Sequence, residues 1–280
     1  MRLGISLPTR QADGRAPTID QLMRRAQLIE RVGFDGIWLG DSVGRVKWPV
    51  PDPLMYLTAA AAGTSHIELG TCILQVPLRR PVELAQRLMT LHGLSGGRFS
   101  AGLGSGSTLA DFEAVGVPYA ERFHLLADAL PRMRKLCRGD SVDAAHLGPW
   151  ANSAGGPPML IGSWHSGLWV RRAALEYDGW LASGFFTTFA QLREGIQRYR
   201  SFGGQRALVS TIRVNLHADA STFDEDASFS LECPASEARD RLARLAELGY
   251  DDALLTRANH TEADITEEDL EEIRALVPRQ

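Results

Sequence analysis

The chain has 280 residues, 44% of them hydrophobic and 23% charged, with a net charge of −4. That length suits one large α/β domain or two small ones, and the near-neutral balance excludes the general attraction to nucleic acid or anionic membrane that a basic protein shows. No apolar run reaches the ~18 residues of a membrane span, and three widely spaced cysteines, Cys72, Cys137 and Cys233, form neither a zinc pattern nor a disulfide framework, which points to a reducing cytoplasm.

Strands and helices alternate from the first residue. Arg2–Leu7 reads as a strand, and Pro8 breaks it too early for a signal peptide. Ile19–Val32 follows as an amphipathic helix, with Thr18 as N-cap and Gly33 as its stop. Phe34–Leu39 is a second strand, Pro53–Gly63 a helix, Ile67–Leu74 a third strand and Val82–Leu94 a helix. Arg98–Leu103 is a fourth strand, and Leu109–Cys137 carries helical patterning interrupted around Gly116-Val117-Pro118. Residues 141–158 are rich in Gly, Pro, Ala, Ser and Asn and form the longest irregular connection. Strands at Pro158–Ile161, Gly179–Leu181, Ala207–Leu216 and Asp252–Leu255 then alternate with helices from about Ser166 to Glu176 and over Phe189–Phe202, Pro234–Leu248 and Glu267–Leu276. Eight βα units in roughly 250 residues predict a closed (β/α)8 TIM barrel, a single domain spanning residues 1–280. The alternative is an open doubly wound sheet, but Leu7-Pro8-Thr9-Arg10 lacks the glycine-rich turn usual after its first strand.

In a barrel the residues that follow the strands meet at one mouth. Here they include Gly40-Asp41-Ser42, Ile73-Leu74-Gln75, Gly102–Ser107, Gly162–Ser166, Ala182–Phe186 and Arg213–Asn215. The set is rich in glycine, serine and aromatics and poor in groups that titrate near neutrality. It lacks the His, Asp and Glu cluster of a metal site and the lysine of a Schiff-base enzyme. It suits a large, flat, phosphorylated cofactor that supplies the chemistry itself. Two segments offer a phosphate site. In Gly162-Ser163-Trp164-His165-Ser166 a strand ends just before a helix start, whose free N–H groups favour an anion; the plainer alternative is a turn with Ser166 as N-cap. Gly102–Ser107, with Gly104, Ser105 and Gly106 at its centre, is the second. Asp41 is placed to hydrogen-bond a ring nitrogen or a sugar, or simply to cap the next turn. His165 is a candidate acid or phosphate donor, or a structural histidine. Cys72 reads as a small core residue. Trp164 stands where it can stack on a ligand, whereas Trp38, Trp169 and Trp180 read as packing residues.

These residues resemble the luciferase-like monooxygenases. The resemblance is carried by Gly33–Asp41, Pro51–Leu54, Thr64–Thr71, Pro81–Ala85, Leu94–Phe99, Asp111–Pro118, Ile161-Gly162-Ser163 and Asp178-Gly179-Trp180, in that order and spacing. It implies a TIM barrel that binds reduced FMN or the deazaflavin coenzyme F-420, with the phosphate end on Gly102–Gly106 and Gly162–Ser166. It implies a non-prolyl cis peptide and a bulge near Cys72-Ile73, under the ring. It also implies a homodimer, a small-molecule substrate and a separate flavin reductase as a partner. Three positions depart from the family: Ser42 replaces a histidine, Gly104 a reactive cysteine, and Ser107 a glutamate. Ser105 stands where luciferases place an arginine.

The expected function is therefore a flavin-dependent oxidoreductase, in the first instance a monooxygenase. Asp41 and His165 are the candidate catalytic side chains, no metal is expected, and Phe185, Phe186, Trp164 and Arg213 suggest a partly apolar substrate with an anionic group. The alternatives are a deazaflavin-dependent hydride-transfer dehydrogenase or reductase, and a non-catalytic flavin-binding protein of the same fold.

Overall fold

The computed structural model describes residues 1–44, 50–148, 150–165, 167–257 and 266–278. Its strands are β1 (Arg2–Ser6), β2 (Gly36–Leu39), β3 (Glu68–Thr71), β4 (Leu74–Gln75), β5 (Phe99–Gly104), β6 (Met159–Gly162), β7 (Gly179–Ser183), β8 (Ala207–Asn215), β9 (Leu231–Glu232) and β10 (Asp252–Thr256). The helices are α1 (Ile19–Val32), α2 (Pro53–Gly63), α3 (Pro81–Leu94), α4 (Leu109–Val115), α5 (Arg122–Cys137), α6 (Leu168–Glu176), α7 (Phe189–Ser201), α8 (Ala235–Glu247) and α9 (Glu267–Arg274). The sheet runs β10-β1-β2-β3-β5-β6-β7-β8 and closes through a β8–β10 pairing, every neighbour parallel. This is the closed eight-stranded barrel that the alternation of elements calls for. No helix among the described residues is long and apolar enough to cross a membrane.

Local chemistry sets the helix ends. The Thr18 hydroxyl accepts from Gln21 N while the Gln21 side chain accepts from Thr18 N, a reciprocal cap at the start of α1. Gly33 ends that helix in the left-handed region at φ 96°, where a side chain would be strained. Asp52 caps α2 from Leu54 N and Met55 N. Arg98 explains the motif that follows α3: its guanidinium donates to the carbonyls of Ser95, Ala61, Thr64 and Ile67 and to the Thr64 hydroxyl. One side chain thereby ties the entry of β5 to the end of α2.

Three expectations need correction, and one short strand is added. The third strand is not continuous over residues 67–74. It breaks into β3 and β4 at Cys72-Ile73, whose peptide bond is cis. The second strand begins at Gly36, because the Asp35 carboxylate turns back to accept from Leu3 N at 2.8 Å. Helix α6 begins at Leu168 with Gly167 as its cap residue; Ser166 lies outside the described residues. Strand β9 pairs with the end of β8 and is too short for its sequence to announce it.

The barrel interior is filled by Trp38, Leu160, Leu181, Leu208 and Leu254, with Cys72 and Ile73 packed against them. Trp38 fits because β1 and β3 carry glycines beside it: a Cβ on Gly4 would lie 2.6 Å from Trp38 Cδ1, and one on Gly70 would run into the indole ring. Overpacking of this kind displaces the ring or the strand. Gly70→Ala is therefore expected to cost ~1–3 kcal/mol in urea unfolding followed by tryptophan fluorescence. A loss below ~0.5 kcal/mol would contradict the close packing of Trp38.

Candidate functional site

A cavity of about 360 Å³ opens at the carboxyl ends of β3, β5, β6, β7 and β8. Cys72 and Ile73 line it after β3, and Gly104 to Ser107 after β5. Gly162, Ser163 and Trp164 follow β6, Ser183 and Phe186 follow β7, and Ser210 and Thr211 lie on β8. The turn before α5 contributes Tyr119 and the start of α5 Arg122 and Phe123, and the cap and start of α6 contribute Gly167, Leu168 and Trp169. The volume lies within the range of small-molecule pockets.

Each wall has an identifiable support. Trp180 is buried outside the barrel and donates from Nε1 to Ser163 O (3.2 Å) and Ser163 Oγ (3.0 Å), which fixes that serine at the rim. Gly106 turns the β5 loop at φ 77°, and a Cβ there would strike the Gln75 side chain beneath it. Gln75 Nε2 donates to Asp111 Oδ2 at 2.6 Å and to Asp41 O at 3.1 Å. Asp111 is completely buried. Its Oδ1 accepts from Ser42 Oγ (2.8 Å), Val43 N (3.1 Å) and Gly44 N (2.7 Å). Burial opposes its ionised form, but the hydrogen bonds from Gln75, Gly44, Ser42 and Val43 outweigh it and hold the carboxyl below its ordinary value.

The sequence-chosen residues divide into two groups. Cys72, Ile73, Gly104, Ser105, Gly106, Gly162, Ser163 and Trp164 all line the cavity. Trp164 is half-exposed and packs against Phe186 with ring centroids 5.8 Å apart. Burial pushes the Cys72 thiol up to about 12, so it stays protonated and is a poor nucleophile. The two catalytic candidates are elsewhere. The Asp41 side chain is 2% exposed and its carboxylate is engaged by Arg79, with Nη2 to Oδ1 at 2.9 Å, and by Gln75 N at 2.9 Å. It braces the segment after β4 and does not line the cavity. His165 also lies outside the lining; its backbone packs against α7, where a Cβ on Gly195 would sit 3.2 Å from His165 Cα. Its Nδ1 is buried without a hydrogen-bond partner among the described residues. Arg213 pairs with Glu232 at 2.9 Å and stands over the Phe185 ring, away from the lining.

Sequence reasoning passed over Tyr119, Arg122, Phe123 and Thr211. Arg122 is the only charged side chain among the described lining residues. Its guanidinium lies over the Tyr119 ring at 3.9 Å and the Phe123 ring at 4.3 Å. The available signal was the Gly116-Val117-Pro118 break, which ends one helix and lets another start at the mouth. Among the described residues no group of three or more His, Cys, Asp or Glu side chains gathers to hold a metal ion.

The family model of the luciferase-like monooxygenases matches residues 1–228. The chain belongs to the luciferase-like monooxygenases. Among relatives of this luciferase-like chain, the F420-dependent glucose-6-phosphate dehydrogenase of Kineococcus radiotolerans is 28% identical over 224 residues, 72% of this chain and 64% of the relative. The 4-hydroxyprotoasukamycin monooxygenase of Streptomyces nodosus subsp. asukaensis is 30% identical over 115 residues, 41% of this chain and 31% of the relative. The matched stretches thus span less than two thirds of these relatives' length. Among solved structures, the oxygenating constituent of 3,6-diketocamphane monooxygenase from Pseudomonas putida, in complex with FMN, has a TM-score of 0.75 at 16% identity, covering 98% of this chain and 96% of that one. It has the same barrel.

Proposed function

We propose that this luciferase-like protein is an oxidoreductase that works with reduced FMN or coenzyme F-420 on a small organic substrate. The observation that carries the reading is the composition of the cavity: one described cation, an uncapped helix start, glycine and serine loops, and an otherwise uncharged interior. Arg122 and the N–H groups at the start of α6 would hold the phosphate. Gly104–Ser107 and Gly162–Ser163 would let the cofactor approach the backbone, with Cys72-Ile73 as floor. Such a cofactor supplies redox chemistry that no side chain of the lining offers. The protein's part is to orient it, and Trp164, Phe123 and Phe186 would keep water out. Ser183, Ser210 and Thr211 are the hydroxyls on the β7–β8 side of the lining.

The monooxygenase reading comes first. Hydride transfer with F-420 is the second, favoured by the extent of the match to the Kineococcus dehydrogenase. Fluorescence titration tests the common core. The wild-type protein is expected to bind FMN or F-420, and Arg122→Ala to weaken that binding about 10-fold or more, the loss of a charge-assisted contact. If neither cofactor is bound, the reading fails. Aerobic consumption of reduced FMN that depends on a second substrate supports monooxygenation; anaerobic turnover with F-420 supports hydride transfer.

A further inference from the structure

The cavity is electrically lopsided. Arg122 stands beside the β5 loop, where Tyr119 Oη donates to Ser107 O at 3.2 Å. The lining from β7 and β8 consists of Leu181, Ala182, Ser183, Ser210 and Thr211 and carries no charge. Two of those hydroxyls are already engaged. Ser183 Oγ accepts from Phe186 N at 3.3 Å, and Ser210 Oγ donates to Ala182 O at 2.9 Å. The Thr211 hydroxyl has no hydrogen-bond partner among the described residues and lies on the lining.

Thr211 reaches that position through a break in strand alternation. Along β10 the step from Ala253 to Leu255 is two residues, but opposite it β8 steps three, from Val209 to Ile212. The extra residue is a bulge. It puts Ser210 and Thr211, neighbours in sequence, on the same cavity wall, and returns Ile212 to the outer core. Thr211 adopts φ 58° within the bulge. Glycine or asparagine accepts that conformation readily, whereas a β-branched residue there is a true outlier. Strain of this sort persists where the side chain has a use.

We infer that Thr211 is the hydrogen-bonding contact for the substrate, and that the substrate is a neutral, largely apolar molecule carrying a carbonyl or hydroxyl group. This rests on the cofactor reading above, which leaves the β7–β8 end free. A charged substrate would give up its water there without a described counter-charge, whereas a neutral one loses little.

Three variants separate the hydroxyl from the backbone. Thr211→Val keeps the branched shape and its strain but loses the hydroxyl. Thr211→Gly loses both, and Thr211→Ser keeps the hydroxyl. Affinity for FMN and F-420 is read by fluorescence. Binding of 2-decanone and 2-decanol to the cofactor-loaded protein is read by equilibrium dialysis, with decanoate as the charged control. Thermal melts are run without ligand. Cofactor affinity is expected to stay unchanged in all three variants. Affinity for the ketone and the alcohol should fall about 2–10-fold in the valine and glycine variants and hold in the serine variant. The melting temperature should rise for Thr211→Gly and stay level for Thr211→Val. Decanoate should bind the wild-type protein more weakly than the ketone. Unchanged ketone affinity in Thr211→Val, a lowered melting temperature in Thr211→Gly, or preference for decanoate overturns the inference. So does a protein that binds cofactor but neither neutral probe. Failure to bind any cofactor instead overturns the reading beneath it, and this inference with it.

Discussion

Arg206→Ala is expected to lower the free energy of unfolding by ~3–5 kcal/mol, the range found when one partner of a buried ion pair is removed. Arg206 lies at the amino end of the barrel, opposite the mouth. Its Nη1 and Nη2 donate to Glu68 Oε1 (2.8 Å) and Oε2 (2.9 Å), and its Nε and Nη2 donate to Asp252 Oδ2 (3.0 Å) and Oδ1 (2.9 Å). Arg2 adds a bond to Glu68 Oε2 at 2.6 Å, and Ser100 Oγ donates to Glu68 Oε1 at 2.6 Å. This network joins the starts of β1, β3, β8 and β10. Burial opposes the charge on Glu68, but the Arg206 and Arg2 guanidiniums and Ser100 outweigh it and hold its pKa below the ordinary value. At Asp252 burial prevails and pushes the pKa up, even against Arg206. Without Arg206 both carboxylates stay buried with only the partly exposed Arg2 to balance them, so both pKa values rise. A raised carboxylate pKa destabilises the fold above the unfolded value and stops doing so below it. The stability gap between wild type and Arg206→Ala should therefore be widest at neutral pH and narrow below about pH 4. Arg206→Lys keeps the charge but not the planar fork, and should recover only part of the loss. A gap under ~1 kcal/mol at pH 7 in urea unfolding would refute the network's role.

What could be read from the sequence followed from how local each determinant is. The eight βα units were legible because periodicity, Thr18 and Gly33 act within a few residues of themselves. The cavity walls at Gly104–Gly106 and Gly162–Trp164 were legible because strand ends in a barrel share one mouth. The engagement of Asp41 away from the lining was not legible because its partner, Arg79, lies 38 residues away and nothing near Asp41 announces it. Arg122 was passed over because it approaches the mouth from a helix start, a position set by tertiary packing. Thr211 was hidden for another reason: alternation assigns neighbours on a strand to opposite faces, and only the register against β10 shows the extra residue. The break at Cys72-Ile73 had no signal in periodicity at all and entered through the family resemblance. The three family side chains replaced by Ser42, Gly104 and Ser107 also take on a physical sense. Ser42 donates to Asp111, Gly104 lets β5 pack against Ile73, where a Cβ would lie 2.9 Å from Ile73 Cδ1, and Ser107 lies on the lining. These positions shape the cavity and carry no titratable group of their own.

Asp111→Ala is expected to cost ~3 kcal/mol or more and to loosen the mouth at the same time. The carboxylate is the shared acceptor for Ser42 Oγ, Val43 N, Gly44 N and Gln75 Nε2, all at 3.1 Å or less. Its loss strands several buried donors, each worth ~1–3 kcal/mol when left unmade. Asp111→Asn is the sharper variant. Its oxygen can still accept from Ser42, Val43 and Gly44, but its amide then faces the Gln75 amide, donor against donor. Turning the Gln75 amide over does not help, since Nε2 also donates to Asp41 O and the exchanged oxygen would meet that carbonyl. A smaller loss, ~1–3 kcal/mol, follows from that single mismatch. The pH dependence has a definite sign. Asp111 has a folded pKa below the ordinary 3.8, so its contribution is fully present above about that pH and is lost as pH falls through the folded value. Asp111→Asn has no such group, and its stability curve should be flatter than the wild type's below pH 4. Because Gln75 lies beneath Gly106 in the β5 loop, both variants should also weaken FMN or F-420 binding. Equal slopes below pH 4 for wild type and Asp111→Asn would show that Asp111 is not the charged hub this geometry describes. Unchanged cofactor affinity would separate the hub from the cavity it underlies.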